Sequence, residues 1–175
     1  MRSLAIIGLC IGSAVLYGIL HDQITSRICV EYFTIGHADI FGTRDPTLLG
    51  IGWGIIATWW AGLILGIPLA IAARVGNRPR RSASSLVRPI AILLLMMGVC
   101  AMVAGVIGWT LSSQGAVVLT GWLASAVPSD RHVAFLTDAW AHWASYAVGF
   151  VGGCVLIASV WRSRGRAQSA TQAGR

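Results

Sequence analysis

At 175 residues, 56% hydrophobic and only 11% charged, the chain departs from soluble domains, in which about a quarter of the residues are charged. Intrinsic disorder requires the opposite composition, and two comfortable domains would need a longer chain. A net charge of +7 raises nucleic-acid binding. Every basic residue is Arg, however, and most flank apolar runs, the placement expected of positive-inside membrane topology rather than of an exposed basic element. The composition selects an all-α integral membrane bundle, with lipid and not nucleic acid as its partner.

The first apolar run covers 4–20 and follows Arg2. A short basic start would suit a cleaved signal peptide. The run ends Val15-Leu16-Tyr17-Gly18-Ile19-Leu20 without a small-x-small cleavage site, and bulky Leu9 before Cys10 argues against a lipoprotein. A retained helix is the favoured reading. In the segment that follows, Ile24, Ile28, Tyr32 and Ile35 keep helical spacing, which predicts a short interfacial helix stopped by Gly36.

The second span, 48–73, is introduced by Asp45, which can cap free backbone amides, and by Pro46, which loses no hydrogen bond in a first turn. A third span covers 89–111 and a fourth 139–161. At 1.5 Å per residue each of these three can cross a hydrocarbon core about 30 Å thick. Residues 1–162 thus make one four-helix domain, and 163–175 read as a disordered basic tail.

Arginine sets the orientation. Ten of the thirteen lie at Arg2, in the loop between the second and third spans, or in the tail, and three (Arg27, Arg44 and Arg131) lie in the other two loops. The ten-residue side is therefore expected to be cytoplasmic, with both termini inside a bacterial inner membrane. Anionic lipid is the expected partner of that side, each near-surface Arg contributing on the order of 1 kcal/mol. All six acidic residues, with His21, His37 and His132, belong to the opposite face, and His142 lies one turn into the fourth helix.

Small residues recur every four positions in the second span, at Gly50, Gly54, Thr58, Gly62, Gly66 and Ala70, and in the fourth, at Ala141, Ser145, Gly149 and Gly153. Gly8 and Gly12 offer a shorter version. Such stripes let helix backbones approach closely in lipid. They serve either the internal bundle or a homo-oligomer, and two long stripes in one small chain favour the former. Trp140, Trp143 and Trp161 fall near helix ends, as in an interfacial belt, whereas Trp59 and Trp60 sit mid-span and are expected to pack on small residues. The four Cys form no CxxC pair, and three lie in apolar runs, so no disulfide framework is indicated.

One constellation has chemical potential. Asp138, His142 and Tyr146 follow at intervals of four, a polar line descending into the membrane, where ionisable groups are costly and by default mark a site or a proton path. His21, Asp22, Glu31, His37, Asp138 and His142 are the candidate ligands of a divalent metal. Nitrogen and carboxylate donors suit zinc, iron or manganese, and a vacant position would permit activation of water. No HExxH or comparable spacing supports this. The same residues would equally make a hydrogen-bonded lock in a structural or accessory subunit. A proton or solute conduit is the third reading, with little polarity in the inner halves of the helices to continue it. Paired outer Cys and phosphate-binding loops are absent, which removes disulfide-relay and nucleotide enzymes.

The motifs His21-Asp22-Gln23-Ile24-Thr25 and Glu31-Tyr32-Phe33-Thr34-Ile35-Gly36-His37 resemble the HDQ(I/V)T…EYFTxGH signature of a group of uncharacterised small bacterial four-span membrane proteins. The likeness continues through Asp45-Pro46-Thr47-Leu48-Leu49, Trp53, Trp59-Trp60 and Asp138-Ala139-Trp140-Ala141-His142, and ends at Gly149-Phe150-Val151-Gly152-Gly153. It implies a four-span bacterial membrane protein and brings no activity with it.

Overall fold

The computed structural model describes the backbone of residues 2–173 and the side chains of residues 2–166. All regular structure among them is helical: α1 (Arg2–Ile28), α2 (Val30–Thr34), α3 (Pro46–Ile56), α4 (Trp59–Arg74), α5 (Ser84–Ser113), α6 (Gly121–Ala126) and α7 (His132–Ala173), with a 3-10 turn at Ser129–Arg131. Four stretches are long and apolar enough to span a membrane: Arg2–Ile28, Pro46–Arg74, Ser84–Ser113 and Ser129–Arg166. The second is the broken pair α3–α4. The chain is a multi-pass membrane protein.

An even number of passes returns the chain to the side on which it started. Ile6 of α1 packs with Leu69 and Ala73 of α4, Leu86 of α5 and Val160 of α7, so the start of α1 and the Val160 turn of α7 gather with the α4–α5 loop at an arginine end. The segments 29–45 and 114–131 gather at a histidine end. There Cys29, Val127 and Phe135 form a smaller apolar cluster with Tyr32 and Ile35 around it.

The bundle closes through glycines. A Cβ on Gly54 would stand 2.5 Å from the Ile19 Cα, and one on Gly18 would stand 2.5 Å from the Gly54 carbonyl oxygen. The backbones of α1 and the second span therefore touch. Gly50, beside Asp22, and Gly62, beside Ile11, extend that contact along α1. The small-residue stripe of the second span thus serves the internal bundle. Gly8 and Gly12 have open space where a Cβ would stand.

Close contact also accompanies the break at Ala57–Thr58. The Thr58 Oγ1 donates to the Gly54 carbonyl oxygen at 2.5 Å, and the Thr58 N–H turns to Ile55 O at 3.3 Å. Asp45 caps α3 as its sequence position implies, Oδ1 accepting from Thr47 N and Leu48 N at 2.8 and 2.9 Å, with Pro46 in the first turn. Ser26 Oγ donates to Pro46 O at 2.8 Å, and Gln23 Nε2 to Thr47 O at 2.9 Å, tying the end of α1 to the start of α3.

Two features differ from the sequence expectations. Helix α1 continues past 20 to Ile28, because His21, Asp22 and Thr25 turn inward, and only the five residues of α2 remain as a separate short helix after it. Trp59 and Trp60 are about half exposed on the outside of the bundle rather than packed on small residues. The α7 backbone is helical to Ala173, and most of the expected basic tail, 163–175, lies outside the residues whose side chains are described. At 1.5 Å per residue the 42 residues of α7 reach about 63 Å, well beyond a hydrocarbon core of about 30 Å. The side chains of 167–175 lie outside the described residues.

Gly54→Leu is expected to lower stability by about 1–3 kcal/mol, the usual cost of overpacking, read as a lower thermal unfolding midpoint in mild detergent. Gly12→Leu, facing open space, is expected to leave the midpoint unchanged or raise it. Equal effects of the two would contradict the crossing.

Candidate functional site at the histidine end

The site grows out of that crossing. One turn beyond Gly18 along α1 come His21 and Asp22, and Gly50 of α3 packs on the Asp22 backbone, which fixes the height of that turn. From α7, Asp138 and His142 enter one helical turn apart. Tyr17 of α1 and Ser145 of α7 are hydrogen-bonded, hydroxyl to hydroxyl, at 2.5 Å. This link sets α1 and α7 in register just below the histidines.

His21, Asp22 and His142 each offer a ligand atom, and these atoms lie within 4.8 Å of one another. Asp22 is 5% exposed, His142 4% and Asp138 0%. His142 Nδ1 lies 2.8 Å from the Asp138 carbonyl oxygen. A carbonyl only accepts, so Nδ1 carries hydrogen and donates. In a neutral ring, Nε2 then presents a lone pair to Asp22 Oδ1, 3.3 Å away. Two acceptors at that separation require a proton or a cation between them. The opposed atoms are not the only sign of one. Among the described residues, His21 Nε2 and both carboxylate oxygens of Asp138 are buried without a hydrogen-bond partner. Leaving such groups unsatisfied costs about 1–3 kcal/mol each and more for a charge. Asp138 is within electrostatic reach of Asp22.

Aromatic rings wall the cluster. Tyr32 stacks on His142 with centroids 4.5 Å apart, His21 meets His142 edge-on at 4.6 Å, and Tyr17 stacks on His21 at 5.7 Å. Phe33 is buried beside them, 5.8 Å from the His142 centroid. The polar line continues to Tyr146, 6.2 Å from His142 and exposed on the bundle surface.

The six candidate ligands divide. His21, Asp22 and His142 come together, with Asp138 adjoining. Glu31 stands apart: its Oε2 accepts from Arg131 Nε at 3.0 Å and from the Cys29 thiol at 3.5 Å, and Arg131 also donates to Ile28 O at 2.9 Å. His37 turns Nδ1 to Tyr32 O at 2.9 Å and packs on Trp53 with centroids 4.7 Å apart, outside the triad. His132 bonds Val127 O at 3.0 Å. Sequence reasoning passed over Tyr17, Tyr32 and Arg131 as parts of the site. Tyr17 had a signal, four residues before His21 on the same helical face. The partner of Glu31, a hundred residues away, had none.

Burial, opposed by hydrogen bonds to backbone and to Arg131, leaves the Glu31 carboxyl below its ordinary value of 4.5. Burial pushes the Cys29 thiol up to about 12, which keeps it protonated and unreactive. The lowered Glu31 value means that the pair's stabilisation is complete above about pH 4.5 and is lost as the pH falls through the lower folded-state value. Arg131→Gln is expected to cost up to about 1 kcal/mol, since the pair is partly exposed. Thermal unfolding across pH 3–7 checks this. The wild type should lose its margin over Arg131→Gln only in the acid part of that range, and a margin constant with pH would contradict it.

The chain matches no protein-family model, no curated protein and no solved structure, and the functional reading rests on the site's own geometry.

Proposed function

We propose that this membrane protein holds a divalent metal ion at its histidine end, ligated by His21, Asp22 and His142, with the Asp138 carboxylate as a fourth ligand within reach. The observation that carries the reading is the opposed pair: a His142 Nε2 lone pair facing Asp22 Oδ1 at 3.3 Å, with Nδ1 committed to the Asp138 carbonyl. Two ligands about 2.1 Å from one ion stand about 3.0–3.4 Å apart at right or tetrahedral angles, and the pair has that spacing. The spread of up to 4.8 Å across the full triad calls for side-chain adjustment of roughly an ångström on binding. Two imidazoles with carboxylate oxygen suit zinc, iron or manganese. The Asp138 carbonyl orients the His142 ring from behind, as outer partners of metal-bound His do. Held by the triad of His21, Asp22 and His142 alone, a tetrahedral metal keeps a position for water or substrate, and ligation by Asp138 closes it.

In this reading the histidine end faces the extracytoplasmic side of a bacterial inner membrane, α2 lies at the interface, and both termini are cytoplasmic. Arginine content and the likeness to small bacterial four-span proteins support that placement. A second reading uses the same 3.3 Å contact: a proton shared by Asp22 and His142, making the cluster a hydrogen-bonded lock of a structural subunit. The orphaned Asp138 oxygens and His21 nitrogen favour the ion, because one shared proton leaves them unsatisfied.

Metal content of the protein purified in mild detergent separates the two. Near-stoichiometric metal is expected in the native chain and after incubation with zinc, iron or manganese. Asp22→Asn and His142→Gln are expected to lose at least about tenfold in affinity, a common loss when a ligand or its support is removed, while Glu31→Gln retains the metal. No metal under any of these conditions leaves the lock as the account, and retention by both ligand variants contradicts the assigned ligands.

A further inference from the structure

The arginine end carries a buried charge. Arg164 of α7 is 1% exposed, and among the described residues its guanidinium meets carbonyls and no carboxylate. Nε donates to Pro79 O at 2.7 Å, Nη1 to Ala72 O at 2.5 Å, and Nη2 to Val75 O at 3.1 Å and Arg78 O at 2.9 Å. These are the last carbonyls of α4 and of the loop after it, so the side chain caps α4 where the helix dipole is negative. The surrounding charges are all alike: Arg74, Arg78, Arg80 and Arg81 act on Arg164 electrostatically. All six acidic residues of the chain belong to the histidine end or to the loops there. Among the described residues, no acidic side chain stands at this end to balance these charges.

A cleft of about 490 Å³ opens beside this cap, lined by Arg78, Trp161, Arg162, Gly165 and Arg166. Its floor is ordered. The Arg78 guanidinium lies 4.4 Å from the Trp161 ring centroid and donates to Trp161 O at 3.1 Å, a cation–π arrangement that holds the ring flat. Arg81 Nη2 fixes Ser163 Oγ at 3.1 Å. Three guanidiniums around one opening match a phosphate, whose oxygens accept bidentate pairs from Arg. Immediately along α7 toward the membrane, Val155 and Phe150 are exposed apolar residues, and Trp161 sits where an interfacial aromatic is expected. A phosphate seated here has acyl-chain surface directly beneath it.

We infer that the cleft formed by Arg78, Trp161, Arg162 and Arg166 binds the phosphate headgroup of one anionic phospholipid, whose chains run down the α7 surface. This site is independent of the metal at the opposite end. It differs from diffuse attraction of a basic loop to a charged membrane, because it has a defined stoichiometry and named contacts.

Titration of the detergent-purified protein with phosphatidylglycerol and with phosphatidylcholine, followed by native mass spectrometry, tests it. One phosphatidylglycerol per chain is expected to remain bound, and phosphatidylcholine is not. Arg162→Gln/Arg166→Gln, both exposed positions, should weaken binding roughly thirtyfold, from about fivefold for each near-surface arginine. Arg27→Gln/Arg44→Gln removes the same charge from the opposite end and should leave binding unchanged. Equal binding by the two double variants overturns the site, as does equal retention of phosphatidylcholine. Displacement of the lipid by millimolar inorganic phosphate overturns it in favour of a free-anion site.

Discussion

The backbone contact of α1 with α3–α4 at Gly18 and Gly54 is the constraint on which the rest of the structure depends. In lipid no hydrophobic drive pulls helices together, and close van der Waals approach takes its place. Glycine on both sides lets the Gly54 backbone rest against Ile19. That contact fixes how far α1 rises past α3, and therefore where His21 and Asp22 stand. The Tyr17–Ser145 hydroxyl pair passes the register on to α7 and places His142 opposite Asp22. Without the crossing, the cluster of ionisable groups would have no reason to converge.

The charges are distributed in the same spirit of separation. One end gathers buried carboxylates and imidazoles. The other gathers a buried guanidinium within a ring of arginines. Burying an uncompensated charge costs several kcal/mol, and a bound cation at one end and a bound phosphate at the other are the compensations proposed above. Glu31 and Arg131 show the contrasting case, a carboxylate and a guanidinium that satisfy each other and tie the α1–α3 connection to the start of α7.

Much of the fold was legible in the sequence because lipid demands long apolar runs and because Asp45-Pro46 marks a helix start by local chemistry alone. The length of α1 was not. His21 and Asp22 look like the end of a span until their inward direction is known, since polarity on one face does not stop a helix. The break at Ala57–Thr58 depends on a hydroxyl turning back to Gly54, which follows from packing and not from spacing. In the basic segment of α7, Arg164 folds onto carbonyls of α4 and of the loop after it, contacts 85 or more residues away in the chain that spacing does not reveal. Of the candidate ligands, Asp138 and His142 could be read from their four-residue spacing on one helix, whereas His21 and Asp22 could not, because the first apolar run ends just before them. Glu31 and His37, on the less regular segment between α1 and α3, could not be assigned a direction.

Zinc K-edge X-ray absorption on the zinc-loaded protein tests the central claim most directly, because it reports the ligands themselves. The account expects a first shell at about 2.0–2.1 Å with the outer scattering of two imidazoles, falling to one in His142→Gln. A shell of oxygen alone, or a spectrum unchanged in that variant, would contradict it.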